Sequence, residues 1–300
     1  MTNKLRPLLA TEVKNLKDLK LPMLASVKLD GIYALIVDGA IYSRSFKPIK
    51  NKHVQKLFGN RDLNGLVGEL VCGDVYAEDV FRQTTTATMA EGGVNDVKLY
   101  VFDDWSVGDK PYQERYQHYQ RRIKALNHGS IVALEHNMLH TIDEVITALD
   151  KEQKRNGEGI ILRLPSAKWK SGRSTPKSQE SVKLKFFEQQ EYKIVDVVER
   201  MHNANEAKVN EMGYTERSSH KDNMIPMNTF GAFVMELQDG RNFNVGSGLG
   251  LTDAVRKEIW NNRDKYIGKI ATVRQMKVGS KNGIPRLPTF VGLRDKDDIS

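Results

Sequence analysis

The stretch LASVKLDGIYALIVDGAIYSRSF, residues 24–46, decides how the rest of the chain is read. Apolar and β-branched residues flank Asp38-Gly39, a dipeptide suited to a two-residue turn, so Ile32–Val37 and Ala40–Phe46 read as a β-hairpin. A strand precedes it, and Lys28-Leu29-Asp30-Gly31 joins the two. By composition alone a K-x-D-G match arises in roughly one 300-residue chain in ten. As a bare tetrapeptide it is a charged turn, and its weight comes from ordered companions downstream.

VGELVCGDVYA (67–77) and VKLYVFDDW (97–105) read as two further strands, and ERYQHYQRRIKAL (114–126) has helical spacing. Thr141-Ile-Asp-Glu144 is a capping-box pattern opening a helix through about Arg155, which Asn156-Gly157 stops. GIILRL and VKLKFFE (182–188) return to extended chain, separated by the loop-like LPSAKWKSGRSTPKSQES. After residue 188 come short β-rich runs with one helix near 252–262. That is a five-strand barrel pattern of the oligonucleotide-binding (OB) type, although strand count alone allows other small barrels. The expected division is 1–188 and 189–300.

The 300 residues carry 46 Lys and Arg, 38 Asp and Glu, a net charge of +8 and one cysteine. Cys72 alone excludes an internal disulfide or a Cys-rich zinc module. No apolar run approaches the ~20 residues of a membrane span. The start, MTNKLRPLLATEVKN, lacks the apolar segment and cleavage site of an export signal, so a cytoplasmic protein is expected. Basic charge favours a polyanionic partner. It concentrates between Arg163 and Lys185, where Lys168, Lys170, Arg173, Lys177 and Lys183 are opposed only by Glu180. Two readings stay open there: a solvated polar loop, or a phosphate-tracking groove with Trp169 as a stacking contact or packing anchor. His202–Lys221 is open in the same way, between a mobile loop and a DNA-contacting insertion.

Lys28-x-Asp30-Gly31 is followed in order by Ser43-Arg44, Gly68-Glu69-Leu70, Tyr100-Val-Phe102-Asp103, Glu158-Gly159-Ile160-Ile161 and Lys183-Leu184-Lys185. The series resembles the motifs of covalent nucleotidyltransferases. Over about residues 5–296 the chain is similar to the small bacteriophage type of ATP-dependent DNA ligase. The resemblance implies an α+β fold: a nucleotidyltransferase (ATP-grasp-like) adenylation domain with antiparallel sheets, followed by a C-terminal OB-fold β-barrel. It implies ATP and Mg²⁺ as cofactors, nicked double-stranded DNA as partner, a monomer, and service in replication, repair or recombination (in the host cytoplasm if bacteriophage-encoded).

Residue by residue, the resemblance makes Lys28 the amine that becomes adenylylated and Asp30 an organiser of its loop. Arg44 contacts ribose or nick, Glu69 the ribose, Phe102 the adenine, and Lys183 with Lys185 the α-phosphate. Glu158 and Glu69 are the expected metal ligands, placed at strand starts or ends. Arg44, Lys168, Lys170 and Arg173 are the expected DNA contacts. The chemistry agrees: a lysine nucleophile needs a neutral amine, far from its ordinary protonation near pH 7, and neighbouring cations favour that form. Magnesium, a hard cation, takes oxygen ligands.

The chain departs from the family pattern in three places. Tyr33 stands where many such ligases have Arg, and Ser26 where many have a Glu that reads the adenine amino group. The terminal Arg294-Asp295-Lys296 is contracted, which leaves Arg294, and more weakly Lys296, as contacts to the leaving pyrophosphate. The 27 residues before Lys28 leave no room for the module with which NAD-dependent ligases bind nicotinamide, so ATP is expected. The alternatives are an RNA ligase or a GTP-dependent mRNA capping enzyme and, from another class, a non-catalytic OB-type strand-binding protein. Gly246-Ser-Gly248-Leu-Gly250 opens no βαβ unit and reads as a tight turn. His136 and His140 lack a zinc-site glutamate.

Overall fold

The computed structural model describes residues 5–281 and 283–294. The chain divides into two compact units between Phe186 and Phe187. The first contains β1 (Leu8–Leu9), β2 (Met23–Val27), β3 (Ile32–Val37), β4 (Ala40–Ser43), α1 (Lys52–Phe58), β5 (Leu66–Cys72), α2 (Val80–Met89) and β6 (Val97–Asp104). It continues with α3 (Tyr112–Leu126), β7 (Ile131–Ala133), β8 (Asn137–Leu139), α4 (Ile142–Lys154), β9 (Gly159–Arg163), β10 (Gly172–Arg173) and β11 (Ser181–Lys185).

These strands make two main sheets, ordered β4-β3-β5-β6-β7 and β11-β9-β2-β8, antiparallel except for β6 with β7. The Asp38-Gly39 hairpin forms as its residues dictate, with Val37 opposite Ala40 and both turn residues at positive φ. Each sheet buries one face. Ala34, Ile36, Leu66, Leu70, Leu99 and Val101 pack beneath α1–α3. Met23, Ala25, Ile160, Leu162, Val182 and Leu184 pack with Val145 of α4. The short β1 pairs in parallel with β10 and ties the N-terminal segment to the loop after β9.

The Thr141 hydroxyl accepts from the Glu144 N–H as a capping box requires, but the Glu144 carboxylate accepts from His140 rather than from Thr141. Two helices, α1 and α2, go beyond the sequence reading.

The second unit contains β12 (Phe187–Asn203), β13 (Ala207–Val209), β14 (Thr215–Arg217), β15 (Met224–Glu236), β16 (Asn242–Val245), α5 (Asp253–Asn261), β17 (Ile270–Lys281) and β18 (Ile284–Leu293). Its five-stranded antiparallel sheet runs β16-β15-β12-β17-β18, and a bridge from Gly248 to Phe290 brings its two edges together. With α5 between the third and fourth long strands, this is the OB connectivity. The Gly246-Ser-Gly248 turn is a packing device: a Cβ at Gly248 would lie 2.6 Å from the Phe290 carbonyl oxygen. The polar segment 202–221 is structured in part, as the β13–β14 hairpin braced by the Asn205 side chain on the carbonyls of Ser218 and His220.

Two glycines in the first unit are fixed by close backbone approach. A Cβ on Gly31 would sit 2.1 Å from the Leu70 carbonyl oxygen of β5. One on Gly159, at φ +142, would sit 2.0 Å from that of Leu184 in β11. Gly31→Ala and Gly159→Ala are therefore each expected to lower unfolding free energy by about 1–3 kcal/mol through forced backbone shifts. Gly92→Ala, with nothing within 4 Å, should stay within about 0.5 kcal/mol of wild type in the same denaturant titration.

Candidate active site

Strand side chains alternate, so the residues that leave each hydrophobic face must enter the opposite one. From β3, β5 and β6 these are Tyr33, Glu69 and Phe102. From β2, β9 and β11 they are Ser26, Ile161, Arg163, Lys183 and Lys185, with Lys28 just beyond β2. All of them line one cleft of about 870 Å³, partly open to solvent, in the first unit. Leu8, Leu9 and Ala10 complete its wall, together with Arg44 and Arg173, both exposed.

At one end, Lys28 Nζ lies 2.5 Å from Glu158 Oε2 and Lys185 Nζ lies 2.6 Å from Oε1. The backbone explains the meeting: Lys185 is register partner to Gly159, and the Lys28 N–H donates to the Gly159 carbonyl at 2.9 Å. Burial alone would raise the Glu158 carboxyl, but the two ammonium groups bring it below the usual range. Burial and the neighbouring lysines push Lys185 down, against Glu158. Lys183 pairs instead with Glu12 at 3.1 Å, a partner that sequence order does not indicate. The two motif lysines are thus compensated cations rather than bare ones.

Glu69 stands in mid-strand, opposite both Tyr33 and Tyr100, not at a strand end as expected. Burial raises its carboxyl to about 8, with Lys28 opposing and Glu158 and Asp30 adding to the rise. Asp30 occupies the turn between β2 and β3, outside the cleft lining. Among the described residues no three His, Cys, Asp or Glu side chains cluster as a metal site. Glu69 and Glu158 are close enough to interact electrostatically and match in number the one or two carboxylates that a Mg²⁺ ion takes alongside substrate phosphates, although both Glu158 oxygens are engaged by ammonium groups here.

Phe102 on one sheet and Ile161 on the other both line the cleft. Arg163 stacks on Phe102 at 4.9 Å and on Tyr112 at 5.1 Å. Its Nη1 donates to Asp103, which also accepts from Arg115 at 2.8 Å. All three are buried, with Asp103 0%, Arg115 1% and Arg163 5% exposed.

The basic run 163–185 is therefore not one functional strip. Arg163 is interior, Lys170 is tied to Glu180 at 3.4 Å, and Lys168, Arg173 and Lys177 are exposed. Trp169 is a packing anchor: its N–H donates to the Gly108 carbonyl, its Cβ packs against Gly108, and its indole nitrogen is buried. His136 is enclosed by the Tyr112 and Tyr119 hydroxyls at 3.0 and 3.3 Å, and burial drops it to about 3, so it is a neutral core residue. In the second unit, Arg294 follows β18 and donates to Glu191. Lys296 lies outside the described residues.

A family model described as "ATP dependent DNA ligase domain" matches residues 7–185, and one described as "DNA ligase OB-like domain" matches residues 226–294. A Chlorella virus DNA ligase-adenylate structure is similar at 28% identity and a TM-score of 0.55, covering 98% of this chain and 99% of that one. A structure from a study of Lig E DNA ligases shares the fold at 20% identity and a TM-score of 0.71, covering 98% and 100%. No curated protein sequence matches the chain.

Asp103→Ala strands two buried guanidinium groups and is expected to lower stability by about 3–5 kcal/mol, read by urea denaturation. Glu69 supplies a pH signature. Its folded value near 8 lies above its ordinary 4.5, so across that window the folded state holds a proton the unfolded state has lost. Stability therefore falls as pH rises from about 4.5 to 8. Glu69→Gln removes this loss, so its Tm gain over wild type should be larger at pH 8.5 than at pH 5; an equal gain at both refutes the assignment.

Proposed function

We infer the reaction from one premise: this chain belongs to the ATP-dependent DNA ligases. It seals nicks in duplex DNA through lysyl-AMP and an adenylylated DNA intermediate. The observation that supports the residue assignment is the contact of Lys28 with Glu158 and, through it, Lys185, where both lysines line the cleft.

Lys28 is the nucleophile. It attacks as the neutral amine, the form with a free electron pair. Lys28 Nζ then forms a bond to the α-phosphorus of ATP as the bond to the bridging oxygen breaks, and pyrophosphate leaves with that electron pair. Lys183 and Lys185, on alternate positions of β11, hold the α-phosphate and offset its developing charge. Phe102 and Ile161 enclose the adenine, Glu69 and Arg44 take the ribose, Ser26 borders the nucleotide, and Asp30 holds the loop behind Lys28. A Mg²⁺ ion on Glu69 and Glu158 supplies further positive charge at the transferring phosphate when bound.

A 5′-phosphate oxygen of DNA next attacks the same phosphorus, breaking the N–P bond and returning the Lys28 amine. The 3′-hydroxyl then attacks the activated 5′-phosphorus, AMP leaves, and the strand is joined. Exposed Arg44, Lys168 and Arg173 suit backbone phosphates, with Lys170 added when it leaves Glu180. Residues up to Phe186 form the adenylation unit, and those from Phe187 onward the OB unit. The working species is a monomer.

Purified protein incubated with ATP and Mg²⁺ should gain the mass of one AMP by intact-mass spectrometry. Lys28→Arg, which keeps the charge but not the nucleophile, should gain none. An unchanged adduct on that variant removes Lys28 from the role.

A further inference from the structure

Among the described residues only three buried side-chain polar atoms lack a hydrogen-bond partner, and two of them belong to one cleft: the Tyr33 hydroxyl and Arg163 Nε. An unpaired buried polar atom costs about 1–3 kcal/mol. Its persistence at a ligand site points to a partner that arrives with the ligand. Both groups stand against the same ring. Tyr33 lies 5.7 Å from Phe102 between centroids, and the Arg163 guanidinium 4.9 Å above it. The ring contacts hold both groups beside Phe102, the Asp103 bond holds Arg163 as well, and the two polar atoms stay covered until a base displaces what lies over them.

The two atoms differ in kind. Arg163 Nε is only a donor, whereas a phenol both donates and accepts. Burial raises the Tyr33 phenol above its ordinary value, Arg163 opposes this, and Asp103 and Glu69 add to it, so the oxygen keeps its proton and a lone pair. Ser26, at the position where the family's amino-reading Glu is expected, has only a short hydroxyl. The adenine edge thus needs another reader.

Resting on the ligase reading, we propose that Tyr33 and Arg163 together read the Watson–Crick edge of the base and select adenine over guanine. Arg163 Nε donates to the ring nitrogen N1, and the Tyr33 oxygen accepts from the 6-amino group. Guanine presents N–H at position 1, which would face the Arg163 N–H donor to donor. That mismatch is the discriminating element. Tyr33 is therefore a specificity-determining residue at the base.

The test measures lysyl-nucleotide formation by intact mass over a range of ATP, GTP and purine riboside triphosphate, which lacks the 6-amino group. Wild type should prefer ATP to both. Tyr33→Phe keeps the ring on Phe102 and removes only the oxygen. It should raise the KM for ATP about 10-fold, the size of one hydrogen bond, leave the rate at saturating ATP unchanged, and lose no further affinity for purine riboside triphosphate. Its Tm without nucleotide should not fall, since the hydroxyl has no partner to lose. Arg163→Lys, checked for folding by its Tm, should narrow the ATP-to-GTP preference at least 10-fold. Equal KM for ATP in wild type and Tyr33→Phe, or equal losses with both triphosphates, overturns the proposal. Failure of wild type to form any adduct with ATP would instead overturn the ligase reading itself.

Discussion

One carboxylate, that of Glu158, gathers the amines of Lys28 and Lys185 at the base of the cleft. Its position is not adjustable. Gly159 presses its backbone on Leu184, so β9 and β11 can meet there only without a side chain, and that meeting brings Lys185 opposite the glutamate's neighbour. Asp103 repeats the arrangement at the far end with Arg115 and Arg163. Each acid serves two cations, so each end keeps one positive charge over after pairing. A cleft built this way stays folded without ligand and still attracts a polyphosphate.

What the sequence discloses divides along distance in the chain. The hairpin at Asp38-Gly39, the strands beside it and the α4 cap are set by neighbours a few residues away, and their chemistry is visible in the letters. The two missed helices depend on distant partners. Asn51 caps α1 through Val54, but its amide group is held by the carbonyls of Ala90 and Gly92. The threonine-rich α2 has weak helix propensity and no side-chain cap bond, and it is held by burial of Val80, Thr84 and Ala87.

The site follows the same rule. Lys28, Glu158 and Lys185 could be singled out because their order is distinctive. The partners that set the charge balance could not. Glu12 meets Lys183 from the N-terminal segment, and Asp103 takes Arg163 out of a run that looks solvated. A basic residue's sequence neighbours say little about whether a buried acid waits for it across a sheet. Alternation was the signal available for Arg163: it shares the parity of Ile161 on β9, and that parity faces the cleft.

The wall made by the N-terminal segment has a consequence for biosynthesis. Leu8 and Leu9 are held by Gly172 and Arg173, Thr11 lies beside Val182, and the Lys183 N–H donates to the Thr11 carbonyl. Residues 8–11, synthesised well before their partners, thus wait for some of the last residues in their unit. The β3–β4 hairpin can close as soon as it emerges, whereas the pocket exists only after Lys185 is outside the exit tunnel. Until then a nascent chain has no enclosed cleft beside Lys28, and whatever chemistry the cleft supports belongs to the finished unit alone.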